Sequence, residues 1–297
     1  MKIKQLKNVP SALFRYFILI GLSFLILYPI FVTVMISLMQ TSDFTNSAVR
    51  YLSLSPTLEN YKTAAIFLQY WQTLLRSLAL NIPLCLLEIV SCMLVAYGFA
   101  RFKFKGNGIL FGCVIMTLLI PSSIYFTPFY LSLQDYGPFH WNLLGTPLSL
   151  FLMSVCALGV KNGLVIYILK QHFKAHPKEL EEAAEIDGAG SFRVFVSIML
   201  PGAMSIAATC FLFIFVFRWT DPTHTNIFLP DTEFIWTRLS NIQTDMSLLP
   251  GVEQSDFYFR SILKNTSIVL YAIPLVVLFI FTKRSLVESV ETSGLVG

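Results

Sequence analysis

Long apolar runs separated by short polar connections set the pattern of the chain. A hydrocarbon core about 30 Å thick takes about 20 helical residues to cross. Six segments reach that length approximately: 14–39, 71–99, 108–133, 147–169, 198–219 and 260–282. Backbone polar groups are not left unpaired in lipid, and the Phe-, Leu- and Ile-rich runs lack the period-two alternation of a membrane barrel, so the spans are predicted as helices. The fold class expected is an all-α integral membrane protein. Its plan is an N-terminal tail over 1–13, one transmembrane domain over 14–282 and a C-terminal tail over 283–297. The basic start "MKIKQLKNVPSALFR" resembles the opening of a signal peptide. The apolar run behind it is too long for a processed segment and has no clean small-x-small cleavage site, so it is read as a retained span.

The connections carry their positive charge unevenly. Lys2, Lys4, Lys7, Arg15, Arg101, Lys103, Lys105, Lys170, Lys174, Lys178, Arg193, Lys283 and Arg284 fall on one side of a six-span layout. The alternate connections, 40–70, 134–146 and 220–259, hold Arg50, Lys62 and Arg238. The positive-inside rule then places both termini in the cytoplasm of a multi-pass cell-membrane protein. The outer connections are turn-rich, as in "SLSPTLENYKT" (53–63), and Tyr70, Trp71, Trp141 and Trp219 stand where an aromatic belt is expected, or where packing would also put them. Pro83, Pro121 and Pro274 fall inside spans and are expected to kink them.

Composition supports the membrane assignment. Hydrophobic residues make up 55% and charged residues 13% of the chain, far below the roughly 25% charge of an average soluble domain. The net charge of +4 is spread between apolar runs without a basic stripe, which excludes nucleic acid as a partner. Cys85, Cys92, Cys113, Cys156 and Cys210 all lie in apolar runs without CxxC spacing and read as buried small hydrophobes. His172 and His176 are four apart but have no supporting acid or cysteine, so no metal site is expected. There is no GxxxxGK[ST] phosphate loop, no catalytic constellation and no internal repeat.

Between the fourth and fifth spans the apolar texture gives way to "HFKAHPKELEEAAEIDGAG". Pro177 suits a first helical turn, and Glu179, Glu181 and Glu182 fall where the helix dipole favours negative charge. Leu180, Ala183, Ala184 and Asp187 recur at three- and four-residue spacing, leaving a face of small side chains, and Gly188 and Gly190 cap or bend the end. Such a helix is too short to span a bilayer. The residues leave two readings open: a solvated loop helix, or a face that another protein approaches closely.

Residues 182–201 resemble the EAA signature of ABC-importer permease subunits: Glu182-Ala183-Ala184, then Gly188, then Ile198, Leu200 and Pro201. With "NYKTA", "AYGFARFKFKG" (96–106), "LLIPSSIYFTPFYLSLQDYG" (118–137) and "HPKELEEAAEIDGAGSFRVFVSIMLP", the chain resembles the carbohydrate branch, of the type of the smaller permease of the maltose transporter. The likeness covers most of the chain and thins in the outer loops. It departs from the branch at "RWTDPTHTNIFLPD" (218–231), where Thr220 stands in place of an asparagine. The resemblance implies a cytoplasmic coupling helix in the region 177–190. There Glu182 meets an ATPase, Ala183 and Ala184 allow close seating, Asp187 flanks them, and Gly188 forms the turn towards Ile198, Leu200 and Pro201. It also implies a second, non-identical permease, a dimer of cytoplasmic ATPase subunits that bind ATP and Mg, an extracellular or periplasmic solute-binding protein and a carbohydrate solute. This chain itself would bind no cofactor and would not be an enzyme.

Polar groups inside or at the ends of spans are the candidates for lining a translocation pathway: Asn81, Glu88, Lys161, Asn162 and Arg218, with Gln134 and Asn265 behind them. An intramembrane charge faces protein or water, so the same residues also fit structural pairing within or between subunits, or snorkelling at the boundary. The leading functional expectation is a sugar, oligosaccharide or polyol importer subunit. The alternatives are an importer for glycerol phosphate, an amino acid or a peptide, and a non-transport membrane anchor, which leaves the signature at 182–201 unexplained.

Overall fold

The computed structural model describes residues 9–46, 49, 52–138, 140–247 and 257–294. The regular structure among them is helical, apart from one isolated antiparallel bridge between Tyr136 and Trp141. The chain divides into two compact units, Met1–Thr73 with Ile235–Ile273, and Leu74–Phe234 with Pro274–Gly297.

The first unit begins with α1 (Val9–Ser37) and a short α2 (Thr41–Thr45). From Leu13 to Ser37, α1 is long and apolar enough to cross a membrane, and no residue of its most apolar window is buried. A helix apolar all round is suited to lipid contact. At its C-terminal end Asn60 donates to the carbonyls of Ser37 and Met39 at 2.9 and 2.8 Å, and the Thr266 hydroxyl reaches the Ser37 carbonyl. Asp43 accepts from the Gln40 backbone and from the Ser53 hydroxyl, and the Ser53 bond in particular holds its carboxyl below the usual range against the cost of burial. Next comes α3 (Glu59–Leu68), which Gln69 ends in a left-handed conformation, φ 47°, before α4 (Tyr70–Arg101) starts.

The second unit holds most of α4, including Pro83, and then a series of shorter helices: α5 (Asn107–Met116), α6 (Ser122–Gln134), α7 (Pro147–Val155) and α8 (Asn162–Ala175). Here the structure corrects the sequence reading. The span expected over 108–133 is two helices parted at 117–121, where the backbone bonds of Leu118 and Leu119 turn to the i−3 pattern ahead of Pro121. The span expected over 147–169 is parted at 156–161, where Ala157 and Lys161 take positive φ of 54° and 57°. α9 (Glu179–Ile186) and α10 (Ser191–Val194) follow, then a π-helical turn over Phe195–Met199, α11 (Leu200–Gly202) and α12 (Met204–Thr220). The helices over the expected fifth span, Ser191–Gly202 and Met204–Thr220, are bent by 78° at Ala203. α13 (Thr223–Phe228) closes the run, with α14 (Ile235–Ser247) belonging to the first unit. Finally α15 (Phe257–Gly294) continues well past the predicted boundary at 282, with Pro274 inside it.

Among the described residues three helices, Leu13–Ser37, Tyr70–Arg101 and Phe257–Glu288, are long and apolar enough to cross a membrane, and the bent pair Ser191–Gly202 with Met204–Thr220 makes up to four. Trp71 and Trp141 are exposed, as a belt position requires, whereas Trp219 is completely buried and stacks on Phe215 at 5.4 Å. Trp219 is a packing residue of the second unit.

Candidate functional site: a buried ion pair and an exposed acidic helix

Among the polar groups buried in the second unit, Glu88, Ser154, Asn162 and Arg218 converge, while Lys170 stands over the Phe111 ring. Glu88 comes from the middle of α4 and Arg218 from the last turn of α12. Arg218 Nε donates to Glu88 Oε2 at 2.6 Å, and Arg218 Nη2 donates to the Ser154 hydroxyl of α7 at 2.8 Å. The two charged side chains are 6% and 0% exposed. Charges so fully removed from water persist only when paired, because the loss of hydration otherwise outweighs any gain. The pair thus ties α4, α7 and α12 to one point.

The break between α7 and α8 closes over the same carboxylate. A Cβ added at Gly159 would lie 1.7 Å from Glu88 Oε1, so any side chain there would displace the ion-paired carboxylate. Asn162, at the start of α8 and 4% exposed, lies within reach of the Glu88 carboxylate. Lys161, left-handed and exposed, extends over the Phe217 ring at 4.8 Å. Asn81 stands seven residues before Glu88, on the same face of α4, and donates to the Ser77 carbonyl at 3.0 Å.

The structure therefore brings together Glu88, Asn162 and Arg218 of the predicted pathway group and leaves Gln134 exposed on its own helix. Asn265 bonds back to the Ser261 carbonyl within α15. Ser154 and Gly159 were not predicted, since a serine or glycine in an apolar run carries no signal until its neighbours are known. A lone histidine in an outer connection carries no such signal either, and His224 is one. It is buried in α13, edge-on to Phe126 with ring centroids 4.4 Å apart.

The second cluster lies around α9. Its first turn holds Glu179, Glu181 and Glu182, and Glu182, Ala183, Asp187 and Gly188 are exposed. Ala184, Ile198 and Leu200 are half-buried and Pro201 is exposed. Gly188 has φ 83°, a left-handed conformation that ends the helix as its sequence position anticipates. Large apolar side chains stand out beside the acids: Leu180 is 49%, Phe192 75% and Ile186 86% exposed. An acidic rim around exposed apolar groups has the chemistry of a protein-docking face. His172 and His176 lie 6.3 Å apart between ring centroids, but His172 meets the Gly202 carbonyl and His176 packs on Gly202 itself.

Residues 88–287 match the family model of the binding-protein-dependent transport system inner membrane component. The chain is 26% identical to a maltodextrin transport system permease protein of Bacillus subtilis, over 95% of each chain. It is 28% identical to a probable ABC transporter permease protein of Pyrococcus horikoshii, over 81% of this chain and 80% of that one. Its fold is shared with a chain of a bacterial ABC transporter involved in importing the acidic polysaccharide alginate, with a TM-score of 0.68, 18% identity and coverage of 94% and 97%.

Proposed function

The chain belongs to the family of binding-protein-dependent transport system inner membrane components, and from that premise we propose that it is the permease subunit of an ATP-driven importer of carbohydrate. The solute class is supported by relatives named for maltodextrin, galactooligosaccharide and arabinooligosaccharide transport. Energy comes from a partner ATPase that binds ATP and Mg. A second, non-identical permease, a second ATPase copy and a solute-binding protein complete the assembly, with this subunit in the cell membrane.

The observation that carries the reading is the exposed face of α9. In this reading Glu182 meets the ATPase, Ala183 and Ala184 let the two surfaces close to backbone distance, and Asp187 borders the contact. Gly188 sets the turn towards Ile198, Leu200 and Pro201, so closure of the ATPase pair moves the helix as a rigid body and biases the bundle between two access states. Glu88, Asn162 and Arg218, with Asn81 inside α4 and Lys161 at the start of α8, are the polar groups offered to a pathway. The Glu88–Arg218 pair serves chiefly to hold three helices together.

The test is purification of the whole complex and measurement of ATP hydrolysis and uptake with a panel of maltodextrins, galactooligosaccharides, arabinooligosaccharides and alginate oligosaccharides. Stimulation by a member of the panel is expected. Glu182→Lys and Gly188→Leu are expected to insert normally and to lower uptake per ATP hydrolysed by roughly tenfold or more, the scale of a typical coupling energy. Normal uptake by either well-expressed variant would count against α9 as the coupling helix.

A further inference from the structure

We propose that Arg101 is a positioning residue that joins α9 to the end of α4, so that movement imposed on α9 enters the bundle through α4 as well as through the chain leading into α12. The proposal rests on the docking role of α9 given above and assigns its mechanical partner.

Arg101 is the last residue of α4. Its Nη2 lies 2.8 Å from the His176 carbonyl oxygen, just beyond α8, and 2.5 Å from Glu181 Oε1 in α9. The second contact is read as an ion pair from its separation, since its angles are poor for a hydrogen bond. One planar guanidinium thus spans the corner at Pro177, a task that suits its fixed fork of donors better than an ammonium. Burial distinguishes the pair from ordinary surface ion pairs. Its side chains are 7% and 12% exposed, against 73% and 72% for Lys62 and Glu59. Pairs of the exposed kind contribute little, whereas breaking a buried pair strands a charge.

Aromatic packing makes the corner rigid. Tyr97, one turn before Arg101, lies beside the same Glu181 carboxylate. Its ring meets Phe173 of α8 edge-on at 5.8 Å and Phe195 of the π-helical turn at 5.0 Å. The His176 ring covers Gly202, where an added Cβ would stand 2.9 Å from His Cε1. The acidic run of α9 is therefore divided. Glu181 turns inward to Arg101, while Glu182 stays exposed for a partner.

The experiment uses the assembled complex with its ATPase, in lipid nanodiscs. Cys113 and Cys156 are replaced by serine, and spin labels are placed at Leu94→Cys on α4 and Ile186→Cys on α9. A single narrow distance, unchanged between nucleotide-free and ATP–vanadate states, is expected. Arg101→Ala and, as a milder variant, Glu181→Gln should lose that single distance, and the exchange Arg101→Glu with Glu181→Arg should restore it. A narrow distance in both single variants, or a wild-type distance that changes with nucleotide, overturns the joint. Cross-linking from Ile186→Cys to the ATPase is followed in parallel. If no cross-link forms, the docking role of α9 falls and this proposal with it; if it forms while the distances fail, only the joint is overturned.

Discussion

At the scale of single residues the second unit is most sensitive where charge is buried. Glu88 is completely enclosed, with Arg218 as its ion-pair partner and Gly159 pressed against its other oxygen. Removing one member of such a pair strands the other and is expected to cost about 3–5 kcal/mol. Glu88→Ala and Arg218→Ala should each lower the melting temperature of the purified permease steeply. The double replacement Glu88→Leu with Arg218→Met should recover much of the loss, since no uncompensated charge remains. Equal losses in single and double variants would show that packing, not charge, governs the position. His224 makes a different demand. Burial first and the Arg218 charge second push its imidazole down to about 4, against a smaller pull upward from Asp221. In the unfolded chain the ring titrates near about 6.5. Between those values the unfolded chain holds more protons, so stability is full above about 6.5 and falls as pH drops towards 4. A melting profile against pH should show that decline, and His224→Leu should flatten it within the same window.

Elements were legible where one period ran unbroken. The apolar stretches at 14–39 and 71–99 became α1 and α4 with ends shifted by two residues or fewer, apart from the five residues by which α1 starts earlier, because nothing within them interrupts the ladder enough to stop it. Pro29, Pro83 and Pro274 all sit inside continuous helices, so proline alone did not mark the breaks. Pro121 coincides with one because Thr117–Ile120 before it already leave the α pattern. The break at 156–161 was invisible for a better reason. Its cause is tertiary: Gly159 has to lie against Glu88, and Lys161 turns left-handed to begin α8 beside that contact. The π-helical turn before Pro201 is also absent from any hydrophobic count, although the signature that contains it was plain. An acidic helix, Glu179–Ile186, lies inside the region 177–190 read for it, since its cap and charges are local. Its attachment to Arg101 was not read, because a basic residue after a span is expected to face water.

For the whole molecule the broken helices turn topology into a question of parity. Among the described residues, length and apolarity by themselves allow three spanning helices, or four with the bent pair. Six crossings are reached when α5 with α6, and α7 with α8, each traverse the bilayer as interrupted spans. That arrangement keeps thirteen basic residues on one side and three on the other, the asymmetry that insertion favours. If α6 instead returned to the side from which α5 started, the connection at 134–146 would be cytoplasmic, and the basic cluster of Lys170, Lys174, Lys178 and Arg193 would face outward. Non-helical backbone at membrane depth is tolerated only when protein or a water-filled cavity covers it; within 156–161, Gly159 rests on Glu88 and Val160 is buried, while Cys156, Leu158 and Lys161 are exposed. Single cysteines at Leu54, Tyr136 and Ile186, all exposed, decide between the two layouts once Cys113 and Cys156 are serine. An impermeant maleimide applied to right-side-out vesicles should label Leu54→Cys and Tyr136→Cys directly and Ile186→Cys only after the membrane is opened. Labelling of Ile186→Cys from outside, with Tyr136→Cys protected, would make α5 and α6 a re-entrant pair and would put the acidic helix beyond the reach of any cytoplasmic ATPase.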